Sequence, residues 1–83
     1  MFYTYIVQSI EDEHYYYKGH CEDLAIRLVQ HNSGETKSNK HKAPFRIIYF
    51  EQSETRDEAI RIEKYWKTAA GRRYLHKKLN LVP

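Results

Sequence analysis

The sequence predicts an α+β fold, a small three-stranded antiparallel sheet flanked by helices in β-β-α-β-α-α order. Aromatic and β-branched residues gather in three short stretches, as on a pleated, packed surface. A charged turn separates the first two stretches, and so short a connection makes them antiparallel. Elsewhere, acidic or hydroxyl residues open runs whose apolar positions recur at helical spacing.

Phe2–Ser9 is the first strand; neither of its rows, Tyr3-Tyr5-Val7 and Phe2-Thr4-Ile6, is clearly polar, so both faces should be covered. Glu11-Asp12-Glu13 turns the chain into a second strand, Tyr15–His20, in which Tyr17 is able to face the same side as Tyr5. The first helix spans Asp23–Asn32, with Glu22 and Asp23 placing negative charge at its positive end and Gly34 taking a left-handed conformation just past it. Leu24 and Leu28 form its apolar row. Arg27 and His31 lie beside that row, one turn apart, so a cation and an imidazole stand at the core's edge next to a strand end. That placement suits an anion site better than a solvated face.

Glu35–Pro44 reads as a mobile loop holding Lys37, Lys40, His41 and Lys42. Phe45–Glu51 is the third strand, with Phe45, Ile47 and Tyr49 on one side and Arg46, Ile48 and Phe50 on the other. Thr55-Arg56-Asp57-Glu58 is a capping box, opening a helix whose inward row is Ala59, Ile62, Glu63, Trp66, Ala70. A carboxylate inside an apolar stripe is costly unless it is paired or binds a cation. Gly71 should break this helix, leaving Arg72–Leu79 as a short basic one.

The chain of 83 residues makes one domain, 1–83, and 41% hydrophobic with 30% charged residues marks it as globular, not disordered. A formal charge of +3 permits a polyanionic partner without demanding one. Cys21 is the single cysteine, which excludes an internal disulfide and a cysteine zinc cluster and fits a reducing, cytoplasmic setting. No signal peptide, membrane-length apolar run or repeat is visible. His14, His20, His41 and His76 lack zinc-ligand spacing and read as unremarkable.

Tyr17-Lys18-Gly19 followed by Asp23-Leu24, Arg27 and His31 resembles the second half of the GIY-YIG nuclease signature. Tyr3-Thr4-Tyr5 stands where that family has its first tripeptide, and Glu63 in Ile62-Glu63-Lys64-Tyr65-Trp66 stands where it has its metal-binding glutamate. The match covers nearly the whole chain and is similar to small stand-alone members and to the N-terminal domain of the excinuclease UvrC. The sequence departs from the pattern at Tyr3 and Thr4, which replace glycine and isoleucine, and at Lys18, which replaces isoleucine. Lys18 either snorkels to the surface or reaches the phosphate. Asn80 is a weak candidate for an asparagine that some members carry.

The resemblance implies a metal-dependent endonuclease cutting DNA, in repair or recombination, with a single Mg²⁺ or Mn²⁺ on Glu63 and no small-molecule cofactor or membrane partner. Arg27 would contact the scissile phosphate, Tyr5 and Tyr17 would position the water, and His31 would relay a proton or bind phosphate. Plainer alternatives stand beside each role. Glu63 pairs with Arg27 or Lys67, Arg27 with Glu22 or Asp23, the tyrosines pack the core, and His31 caps its helix. Tyr3, Tyr15 and Tyr16 are read as core. All five site residues are expected on one concave site at the sheet face, with Arg27 and Glu63 on the same side. Lys37, Lys40, Lys42, Arg72, Arg73, Lys77 and Lys78 are the expected nucleic-acid contacts, with little sequence specificity. A binding module without turnover and a partner-binding domain with an incidentally basic surface are the other readings.

Overall fold

A computed structural model describes residues 1–35 and 39–81. Strands β1 (Phe2–Ser9), β2 (Tyr16–Cys21) and β3 (Phe45–Ser53) form one antiparallel sheet in the order β2-β1-β3. Helix α1 (Leu24–Asn32) follows β2, and α2 (Arg56–Trp66) and α3 (Ala69–Leu79) follow β3. The predicted class and element order are those observed. The central strand is covered on both faces, with Thr4 to Ser9 all buried.

The pleat of β1 divides the core in two. Tyr5 and Val7 face α1 and pack with Cys21, Phe45, Tyr17, Leu24 and Leu28. Ile6 faces the other way, against Trp66 of α2 and Leu75 of α3, and Thr4 Oγ1 donates to the Ala59 carbonyl at 2.8 Å. The two helical layers therefore lie on opposite faces of the sheet.

Several local expectations change. In β3 the pairing slips between Ile6 and Val7, where one extra residue, Ile48, enters the strand. Beyond that bulge the faces swap: Phe45 and Ile47 pack toward α1, whereas Tyr49 turns to Trp66 with ring centroids 5.8 Å apart. The helix after the capping box ends at Trp66, not at Gly71. Thr68 caps a new helix by accepting from the Gly71 N–H at 3.0 Å, and Gly71 lies buried inside it while Ala70 is exposed. Thr55 Oγ1 accepts from the Glu58 N–H at 3.2 Å as expected, but the Glu58 carboxylate returns to that hydroxyl, not to the backbone. Asp23 caps α1 through the Ile26 N–H at 3.0 Å, and Gly34 adopts φ +82° past its end. The expected loop contains a 3₁₀ turn, Lys40–Lys42, preceded by a fully buried Asn39; Lys37 lies outside the described residues. No helix among the described residues is long and apolar enough to cross a membrane.

Candidate active site

On the α1 face, Tyr5 of β1 lies across Gly19, its register partner on β2. A Cβ at Gly19 would stand 2.7 Å from Tyr5 Oη and 3.1 Å from Tyr17 Cε2, so glycine is what admits the phenol. Tyr5 Oη meets His31 Nε2 at 2.8 Å, and the Tyr17 ring stands 5.1 Å from the imidazole and 6.5 Å from Tyr5. Burial pushes the Tyr5 phenol well above its ordinary range, with the nearby Arg27 cation working against it. His31 is pushed down, chiefly by burial; Asn39 opposes this shift and Arg27 adds to it. The C-terminal end of α1 favours the charged imidazole, and desolvation outweighs it. The imidazole is fully enclosed, not a solvated cap, and burial disfavours its charged form.

A cleft of about 410 Å³ opens beside this cluster at the outer edge of β2. Tyr17, Gly19, His20 and Arg27 line it, with Glu22 and Arg56 among its other walls. Among the described residues no carboxylate lies within ion-pair distance of Arg27, because Asp23 caps the helix and Glu22 pairs with Arg56 at 3.4 Å. The guanidinium is left to face the cleft and Tyr5.

Glu63 comes from the opposite layer. Its Oε1 accepts from His20 Nδ1 at 2.7 Å and its Oε2 from Lys67 Nζ at 2.7 Å. The pleat explains the first contact: Tyr17, Gly19 and Cys21 point to α1, whereas Lys18 and His20 point to α2. Burial alone would raise the Glu63 carboxyl, but the hydrogen bonds from Lys67 and His20 outweigh it and hold it below the usual range. Its expected pairing with Lys67 exists; a pairing with Arg27 does not.

The expectation of one site on one sheet face is therefore corrected. Arg27 and Glu63 belong to helices on opposite faces, and the two halves approach one another around β2, an edge strand. His20 joins them, lining the cleft while bonded to Glu63. An ionised carboxylate is a hard oxygen donor, and Mg²⁺-type cations need only one or two of these, completing their shell with water and substrate oxygens. Glu63 fits such an ion on those grounds. Among the described residues no group of three or more His, Cys, Asp or Glu side chains is placed to hold a metal.

His20 and Arg56 were missed in the sequence because their place depends on the pleat and on long-range packing. Lys18 donates to the Trp66 carbonyl at 3.2 Å, capping the end of α2. Asn80 closes α3 with φ 52° and stands apart from the cleft. Of the expected nucleic-acid contacts, Lys42 pairs with Asp12 at 2.7 Å, Arg72 donates to the Lys67 carbonyl, and Lys78 lies over the Tyr49 and Tyr74 rings. Lys40, Arg73 and Lys77 are exposed.

A family model described as GIY-YIG catalytic domain matches residues 1–80. A UPF0213 protein of Staphylococcus saprophyticus is 32% identical over 81 residues, covering 96% of this chain and 92% of its own. A second, from Listeria welshimeri, is 40% identical over 53 residues, covering 63% of this chain and 59% of its own. A third, from Staphylococcus aureus, is 32% identical over 81 residues, covering 96% of this chain and 92% of its own. No solved structure matches the chain. GIY-YIG nucleases use divalent metal ions. The chain belongs to the GIY-YIG nuclease family, alongside the UPF0213 proteins.

Proposed function

We propose that this protein is a metal-dependent endonuclease that hydrolyses phosphodiester bonds in DNA, acting in repair or recombination in the reducing cytoplasm. One observation carries the reading: the buried Tyr5–His31 hydrogen bond lies behind Tyr17 and Gly19, which line a cleft together with Arg27. A core needs no such pairing of phenol, imidazole and unpaired guanidinium.

The substrate phosphate seats in the cleft, where the planar fork of Arg27 matches its oxygens and neutralises charge as the phosphorus centre crowds. Tyr17 and Tyr5 hold the attacking water. As the water attacks, Tyr5 accepts its proton and passes its own to His31 Nε2, so the strongly basic phenolate never accumulates. Glu63 would hold a single Mg²⁺ or Mn²⁺, which would supply Lewis-acid stabilisation of the phosphate and the leaving oxygen. His20 and Lys67 hold that carboxylate ionised and oriented.

The engagement of both Glu63 oxygens favours a second reading, a nucleic-acid-binding module without turnover. Branched and linear DNA incubated with Mg²⁺ or Mn²⁺, with and without chelator, separates the two. Cleavage that needs the ion is expected. Glu63→Gln, which keeps shape but removes charge, should abolish cleavage while binding persists or tightens. Arg27→Ala should lower turnover on the order of 10²–10³-fold, as loss of a transition-state charge partner does. Thermal melts accompany both variants, since breaking the half-buried Glu63 pair mimics a catalytic loss. Cleavage surviving in folded Glu63→Gln would exclude the metal role, and a folded wild type inert on every substrate would leave the binding module.

A further inference from the structure

We infer that Asn39 is a positioning residue for His31: its side-chain carbonyl receives the Nδ1 proton of the imidazole and so keeps Nε2 open to the Tyr5 proton. The inference rests on the proposed roles of Tyr5 and His31.

His31 Nε2 faces Tyr5 at 2.8 Å, while Nδ1, on the other side of the ring, is buried with no hydrogen-bond partner among the described residues. Asn39 is fully buried, and both its Oδ1 and Nδ2 also lack partners among them. Buried polar groups left unpaired cost about 1–3 kcal/mol each, so orphans on neighbouring side chains demand an account. The two side chains are neighbours, since Asn39 is the group that works against the burial of the imidazole. No hydrogen bond of ordinary geometry closes between them in this conformation. The terminal torsion of an asparagine is soft, and it is the freedom that closes the contact. Among the described residues Tyr5, Tyr17, Phe45 and Arg27 also stand near the imidazole, and none of them bonds Nδ1.

The tautomer follows from the proposed direction of the relay. Neutral imidazole carries one proton, and the proposed relay requires the Tyr5 hydroxyl to donate to the nitrogen that faces it. Nε2 must then be the bare nitrogen, and Nδ1 carries the proton. When Tyr5 passes its proton to Nε2 and takes one from water, both ring nitrogens are protonated and the ring gains one positive charge. The Asn39 carbonyl supports that charge from the Nδ1 side, and as a neutral amide it takes no proton itself. Nothing is oxidised or reduced.

Nitrogen NMR of the full chain with labelled histidine reads which ring nitrogen carries the proton. The wild type is expected to show His31 protonated at Nδ1. Asn39→Leu, which removes the acceptor at similar volume, should shift the proton toward Nε2 and lower kcat on DNA by about 10-fold at constant KM, a part of the roughly 10²–10⁴-fold that general acid–base catalysis supplies. Asn39→Asp restores an acceptor, and the Nδ1 proton should return with it, which a packing role would not require. A wild-type proton on Nε2, or an unchanged tautomer in folded Asn39→Leu, would overturn the inference. The wild-type spectrum and Asn39→Asp decide if the leucine variant does not fold. A wild type inert on DNA counts against the nuclease reading, and the spectrum still decides the role of Asn39.

Discussion

The hydroxyl of Tyr5 occupies the space where any residue but glycine at position 19 would carry its Cβ. Gly19 is thus selected by a side chain on the next strand and not by its own backbone angles. A methyl group there meets Tyr5 Oη, Tyr5 Cζ at 2.9 Å and the Tyr17 ring, and the buried phenol has nowhere to retreat. Gly19→Ala should destabilise the fold by about 1–3 kcal/mol, as overpacking does. For a domain of this size each kcal/mol lowers Tm by about 4–8 °C. The same change should pull Tyr5 from His31, so cleavage should fall further than the melt accounts for. Parallel thermal melts and turnover measurements check this, and equal losses in both would reduce Gly19 to a packing role.

The two C-terminal helices meet over Gly71. A Cβ there would lie 1.8 Å from the Tyr65 carbonyl oxygen, which is backbone and cannot swing aside. Replacing a helical glycine by alanine ordinarily gains up to about 1 kcal/mol of helix propensity, the most in a helix interior, and Gly71 lies in the first turn of α3. Here the clash exceeds that gain, so Gly71→Ala should lower Tm by several degrees, and a raised Tm would mean the helices do not pack as described. The sequence reads Gly71 as a breaker because a glycine that ends a helix and one that admits a neighbouring helix look alike without the neighbour. The Ile48 bulge escapes for a similar reason: alternation predicts one face for Phe45, Ile47 and Tyr49, and only pairing with β1 reveals the extra residue. Strands, caps and the α1 row were legible because they depend on residues within one or two turns. Arg27 and His31 were legible as neighbours on that helix, whereas His20, Asn39 and Arg56 acquire their places from segments far away in the chain.

Across the molecule, positive charge is not distributed as composition suggested. Lys42 is neutralised by Asp12, whereas Lys18 is crowded by Arg72 and Lys67 next to Glu63. Burial, then those two cations, pushes the Lys18 ammonium down. Like charges held together repel unless a polyanion joins them, so this strip beside β2 is the track we expect duplex DNA to follow toward the cleft. Replacing Lys18 or Arg72 by alanine should each flatten the log K versus log salt slope by about 0.9, and Lys42→Ala should change it less. Titrating binding across salt for the three variants checks the order, and a slope that moves only with Lys42 would place the duplex on the other side of the domain. The division of the site between two layers also has a consequence during synthesis. A growing chain carries Tyr5, Tyr17, Arg27 and His31 long before Glu63 emerges, and β2, around which the layers approach one another, pairs with β1 and not with β3. Under the proposed nuclease reading a half-made copy has most of the cleft but lacks Glu63, so cleavage of nucleic acid near the ribosome should wait until the second helical layer has been made.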